Sequence, residues 1–164
     1  RIQDVIKIHS IVSKINPTRL ILIGDGPERS SMERLARVEG VEKSTYFLGK
    51  IKETEKALCL ADVYLMTSEK ESFGVSALEA MAAGVPVISS NTGGIPEVNT
   101  HNETGFLSNV GDIEDMAKNL SDLLFNSQLY NRLSLNAYER AKEFNISNVL
   151  PIYESLYHEL LSKL

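Results

Sequence analysis

Ser68-Glu69-Lys70-Glu71-Ser72-Phe73-Gly74-Val75-Ser76-Ala77-Leu78-Glu79-Ala80-Met81-Ala82-Ala83-Gly84-Val85-Pro86 runs from a polar loop through one short helix into an apolar strand. Ser72 can cap a helix that begins near Phe73 or Gly74, which leaves Glu71 ahead of the N-terminus and Glu79 about 9 Å along the axis. Two carboxylates thus mark opposite ends of one ligand-sized track, comparable in length to a nucleotide diphosphate joined to a sugar. The free amides of Phe73 and Gly74 and the positive end of the helix dipole suit a phosphate or a sugar oxygen.

The helical angles extend this. Counted from Val75, Leu78 falls at about −60°, Ala82 at about −20° and Glu79 at about +40°, so Glu79 is expected to border the apolar stripe. A carboxylate there needs partners, because burying it unpaired costs several kcal/mol or neutralises it. The two vicinal hydroxyls of a ribose can donate to both of its oxygens. A core helix whose Glu79 pairs with a Lys or Arg fits the same spacing. Ser76, Ala80 and Ala83 are small and let another group approach closely.

Outward from this stretch, helices alternate with short apolar strands. Val5, Ile8, Val12 and Ile15 recur at helical spacing over residues 2–15, Pro17 closes that helix, and Leu20-Ile21-Leu22-Ile23 reads as a buried strand. Pro27 suits the first turn of a helix to about Val38, and Gly40 suits its end. Tyr46–Leu48, Val63–Met66, Val85–Ile88 and Gly105–Leu107 read as further strands, with helices near 52–60 and 73–83 between them. Continuous apolar strands joined through helices predict an α/β, Rossmann-like parallel sheet with helices on both faces, whose ligands bind at the carboxyl ends of the strands. After Gly111 three helices follow, the first capped by Asp112, the others at about 127–143 and 147–163. The last carries Val149, Ile152, Tyr153, Leu156, Tyr157, Leu160 and Leu164 on a wide apolar face, expected to pack on the domain's own sheet.

Composition sets bounds. The 164 residues are 43% hydrophobic, enough for one sizeable core, and a single domain is expected over 1–164. Seventeen basic against 22 acidic residues give a formal charge of −5 and no basic cluster for a nucleic acid. Cys59, the single cysteine, lies among Ala57, Leu58 and Leu60 and is expected to be a buried thiol in a reducing compartment. No apolar run is long enough to cross a membrane and no leader pattern opens the chain, so a cytoplasmic protein is expected. Asn102-Glu103-Thr104 and Asn145-Ile146-Ser147 fit the glycosylation sequon and are read as coincidences. His9, His101 and His158 have no ligand spacing and are expected at the surface or on helix flanks; neither a metal nor a cofactor is implied.

Glu71 and Glu79, separated by seven residues, resemble the E-x7-E signature of retaining, GT-B-fold glycosyltransferases of family GT4. Gly24-Asp25-Gly26-Pro27-Glu28, Phe47-Leu48-Gly49-Lys50, Ala61-Asp62-Val63, Asn91-Thr92-Gly93-Gly94-Ile95-Pro96-Glu97-Val98 and Glu103-Thr104-Gly105-Phe106-Leu107 match the same family in the same order. The wording is closest to the bacterial N-acetylglucosaminyl L-malate synthases of bacillithiol biosynthesis. The resemblance implies the C-terminal, nucleotide-sugar-binding domain of a GT-B fold, with UDP-N-acetylglucosamine as donor and L-malate as acceptor.

It implies roles as well. Glu71 would hold a donor-sugar hydroxyl and Glu79 the ribose, with Ser72, Phe73, Gly74 and Val75 around the sugar and distal phosphate. Gly24 and Gly26 would line the cleft without a Cβ in the way, although a plain tight turn explains them too. Gly49 and Lys50 would lie beside the base, although Lys50 fits a solvated surface charge equally. Gly93-Gly94 offers a flexible turn before a helix start at Pro96, where Glu97 stabilises the dipole. Glycosyl transfer builds negative charge on the departing diphosphate, which helix amides help to stabilise, and Glu71 is assigned orientation rather than nucleophilic attack.

The resemblance also marks a departure. Similar enzymes carry an Arg and a Lys that clamp the diphosphate just before the first helix, and this chain opens at Arg1, immediately after that Lys. Both cations and the N-terminal acceptor domain are expected to be missing and the 164 residues alone inactive. In similar proteins the last helix crosses back to that domain. A GT-B sugar epimerase or a non-enzymatic nucleotide-sugar-binding module remain as alternatives, separable by whether UDP is released.

Overall fold

A computed structural model describes residues 1–163. The elements are α1 (Ile2–Ser13), β1 (Leu20–Ile23), α2 (Arg29–Val38), β2 (Thr45–Gly49), α3 (Thr54–Leu58), β3 (Tyr64–Met66), α4 (Val75–Ala82), β4 (Val87–Ser90), α5 (Ile95–Val98), β5 (Gly105–Ser108), α6 (Ile113–Phe125), α7 (Ser127–Glu143) and α8 (Ile146–Leu161). Every strand pairing is parallel, as continuous apolar strands joined through helices require. Asp112 caps α6 as expected, accepting from the Asp115 amide at 3.1 Å, and Gly40 ends α2 in the left-handed region.

The sheet departs from expectation in being two. β1 pairs with β2, and β3, β4 and β5 form a second sheet. α1 lies against both: Ile6 joins Ala36 and Val41 over Leu20, Leu22 and Phe47, while Ile8 and Val12 join Ile88, Phe106 and α6. On the opposite face, Ala77, Ala80 and Met81 of α4 and Ala137 of α7 cover β3 and β4. The corresponding face of β1 and β2 is bare, with Ile21, Ile23, Tyr46 and Leu48 exposed, so Leu20–Ile23 is a half-buried rather than a buried strand.

Three further expectations are corrected. Cys59 is exposed, at the end of the short helix α3. Ile15 lies beyond α1 and is exposed. α8 does not pack on the sheet: Ile146, Leu150, Ile152, Tyr153, Leu156, Tyr157, Leu160 and Leu161 are all exposed, and Leu164 lies outside the described residues. Its cap still works, Asn145 Oδ1 accepting from the Ser147 amide.

His9 is buried rather than a surface residue, at 3% exposure. The Ser44 hydroxyl donates to Val41 O, so it accepts from His9 Nε2–H at 2.9 Å, which leaves Nδ1 to accept from Thr18 Oγ1 at 3.2 Å. This neutral ring ties α1 to the turn at Glu42–Ser44 and to the loop before β1. Burial lowers its pKa from the ordinary histidine value, outweighing the opposing bond to Ser44. A depressed folded pKa contributes stability that is fully present above the unfolded value of about 6.5 and is lost as pH falls through the folded value. Urea midpoints measured from pH 7.5 downward should therefore fall below pH 6.5, and the His9→Gln variant should lose that part of the slope. An unchanged slope in the variant would place the acid sensitivity elsewhere.

Candidate functional site

The carboxyl ends of β1 to β4 form one rim, and most of the residues singled out from sequence stand on it. Gly24 follows β1 and Gly49 closes β2; the Gly24 amide donates to Gly49 O at 2.8 Å, so these two loops are joined. Both glycines have positive φ, +130° and +68°. Gly26 and Lys50 are exposed beside them. Glu71 and Ser72 follow β3, Glu71 half-buried and Ser72 exposed. Among the described residues, no hydrogen bond links the Gly24–Gly49 pair to the Glu71 loop; they share the rim and not a contact.

The Glu71 loop rests on the loop after β4. Thr92 Oγ1 donates to Glu69 O at 3.1 Å and the Gly94 amide to Glu71 O at 3.2 Å. A Cβ on Gly93 would stand 1.7 Å from Glu71 O, one on Gly94 2.3 Å from Ser72 O, and one on Gly74 2.4 Å from Ile95 Cδ1. Gly93-Gly94 is therefore a seat that only glycine allows. The doublet is visible in sequence as a turn, but nothing in one sequence names the carbonyls above it. A second anchor was also hidden: Phe73 packs edge-to-face on Phe144 at 5.6 Å, and the Arg140 guanidinium lies over the Phe144 ring.

Helix α4 starts two residues later than expected. Gly74 is its N-cap, at φ +92°, and no side chain bonds the first turn, so Ser72 is not the cap. Helix geometry leaves the amides of Val75, Ser76 and Ala77, rather than those of Phe73 and Gly74, without partners inside the helix. Glu79 then lies about 6 Å beyond the first helical residue. The apolar stripe is also on the other side. Ala77, Ala80 and Met81 are buried, whereas Val75 is 60% exposed and Glu79 and Ala82 are exposed with it. Glu79 stands on the outer face of α4, where it lines a groove of about 290 Å³ with Val75, Leu78, Tyr138, Lys142 and Phe144. Lys142 is taken by Glu139 at 2.7 Å, so the Glu79 carboxylate has no cation of its own among the described residues.

Residues 1–140 match the model of the group 1 glycosyl transferases. This chain belongs to that family. Among curated relatives of the group 1 glycosyl transferase domain, N-acetyl-alpha-D-glucosaminyl L-malate synthase of Bacillus anthracis is 39% identical over 163 residues, covering 98% of this chain and 42% of that protein. Sucrose-phosphate synthase of Thermosynechococcus elongatus superposes with a TM-score of 0.87 at 28% identity, over 99% of this chain and 43% of its own. Anabaena HepE, solved in complex with UDP, gives a TM-score of 0.84 at 25% identity, over 98% and 45%. The chain spans about two fifths of the length of these relatives, and its fold is that of a GT-B glycosyltransferase domain. Among the described residues, no helix is long and apolar enough to cross a membrane.

Proposed function

We propose that residues 1–164 are the donor-binding domain of a retaining, cytoplasmic glycosyltransferase that moves N-acetylglucosamine from UDP to L-malate. The observation that carries this is the seated Glu71 loop leading into the uncapped N-terminus of α4, with the unpaired Glu79 one turn on. The relative named for N-acetylglucosaminyl transfer to L-malate supports the choice of donor sugar and acceptor, and the neighbour solved with UDP supports the nucleotide.

The roles follow the charges. Glu79, exposed and without a cation, accepts from the ribose hydroxyls. Glu71 accepts from a hydroxyl of the donor sugar and orients it. The amides of Gly74, Val75 and Ser76 face the negative charge that grows on the departing diphosphate, where preorganised donors gain most in the transition state. Gly24, Gly26, Gly49 and Lys50 line the far side of the nucleotide. The acceptor binds on the part of the protein outside these residues, and the 164 residues alone do not turn over.

UDP release by the full-length protein tests this reading. With UDP-N-acetylglucosamine the release should require L-malate, and the product should keep the α configuration of the donor. Tight UDP binding with no acceptor-dependent release would identify a binding module instead.

A further inference from the structure

Two parallel sheets lie under adjacent faces of one helix. Ile6 of α1 packs over β1 and β2, and Ile8, two residues on, packs with β4 and β5 beside Val63 and Leu65. The edge of β1 away from β2 and the edge of β3 away from β4 carry no strand. The Tyr64 amide donates to Pro86 O on the β4 side, so the alternation of a strand turns the N–H and C=O of Leu65 to the open edge.

We propose that the space between β1 and β3 is a strand slot, filled in the full-length protein by the extended segment directly before Arg1. Strand order is the first support. A doubly wound sheet runs 3-2-1-4-5-6. Removing its first strand leaves a pair and a triplet, in the order of β2-β1 and β3-β4-β5. The position of Arg1 is the second. Thr67, next after β3, donates from Oγ1 to Arg1 O at 2.9 Å, so the chain enters α1 beside the carboxyl end of β3, where a parallel strand in the slot would finish. Connection is the third. From such a strand, α1 is the crossover to β1 on the helix-covered face, the one arrangement that gives the usual right-handed unit.

The slot also accounts for the split core and the bare face. Side chains on one face of the segment would join the two clusters beneath α1, and those on the other would lie beside Ile21 and Ile23. The occupant is therefore an apolar, β-branched strand held by main-chain bonds on both edges. Unpaired parallel edges of this kind otherwise invite a foreign strand.

Residue-resolved amide hydrogen exchange on the full-length protein tests the slot. The Leu65 amide should exchange at least about 100-fold more slowly than an unstructured amide, in step with Tyr64 and Met66. A proline placed in turn at the residues directly before Arg1 should release Leu65 while Ile88 and Phe106 stay protected. Fast exchange at Leu65 in the unmodified protein would mean an empty slot and overturn the proposal. Protection that survives every proline, or that rises with protein concentration, would assign the slot to another strand or to a second copy and overturn it as well.

Discussion

Gly93→Ala in the full-length protein is expected to cut kcat/KM at least about 100-fold, the scale of a 1 Å misplacement at a reacting centre. The added Cβ would fall 1.7 Å from Glu71 O, which is main chain and has no rotamer by which to escape. Gly93 also sits at φ +55°, a region that costs a side chain about 1–2 kcal/mol. Either the Glu71 loop lifts off its seat or the loop after β4 moves down, and a stability loss of about 3 kcal/mol accompanies the shift. Gly26→Ala is the matched control, since nothing stands within 4 Å of its Cβ position and its φ is not positive. Its urea midpoint should be unchanged. UDP-release kinetics and urea titration of both variants check the pair, and a Gly93→Ala protein with the parent's midpoint and rate would remove the seat from the account.

Glu79→Ala should weaken UDP binding by about 10- to 100-fold, from the loss of charge-assisted bonds of about 1.5–3 kcal/mol discounted for exposure. The ribose is held alike before and during transfer, so KM should rise with little change in kcat. Glu79 is exposed on α4, and its replacement should leave the urea midpoint within about 0.5 kcal/mol of the parent. That separates a lost contact from a lost fold. Glu71→Ala should behave in the opposite way, keeping UDP affinity while abolishing the preference for UDP-sugar over UDP. Calorimetric titration with both ligands reads the split. Equal UDP affinity in the parent and the Glu79 variant would overturn the ribose assignment.

The elements were legible because each carried its own signal. Leu20–Ile23, the caps at Asp112 and Gly40 and the strands after residue 45 stand within one or two residues of their expected places. What could not be read depends on partners distant in sequence. Taking Val75 as the centre of the apolar stripe put Glu79 at its border. The close approach of α4 to β3 and β4 instead selects the small Ala77 and Ala80 for the core, and Val75 turns outward. His9 is buried because Thr18 and Ser44 arrive to satisfy both ring nitrogens, and neither spacing announces it. The apolar run of α8 has the composition of a packed helix, yet none of those large side chains meets the body of the domain. The six motifs gave the family, since their order along the chain is set by the rim they build.

The shelf under Glu71 is made entirely of main chain. Glu69, Glu71 and Ser72 meet the Thr92–Gly94 loop through their carbonyl oxygens, and among the described residues none of their side chains makes a hydrogen bond. Support and selectivity are thus carried by different atoms of the same residues. Donor preference can be re-engineered at positions 69 to 72 by exchanging side chains freely, provided the two glycines beneath are left alone.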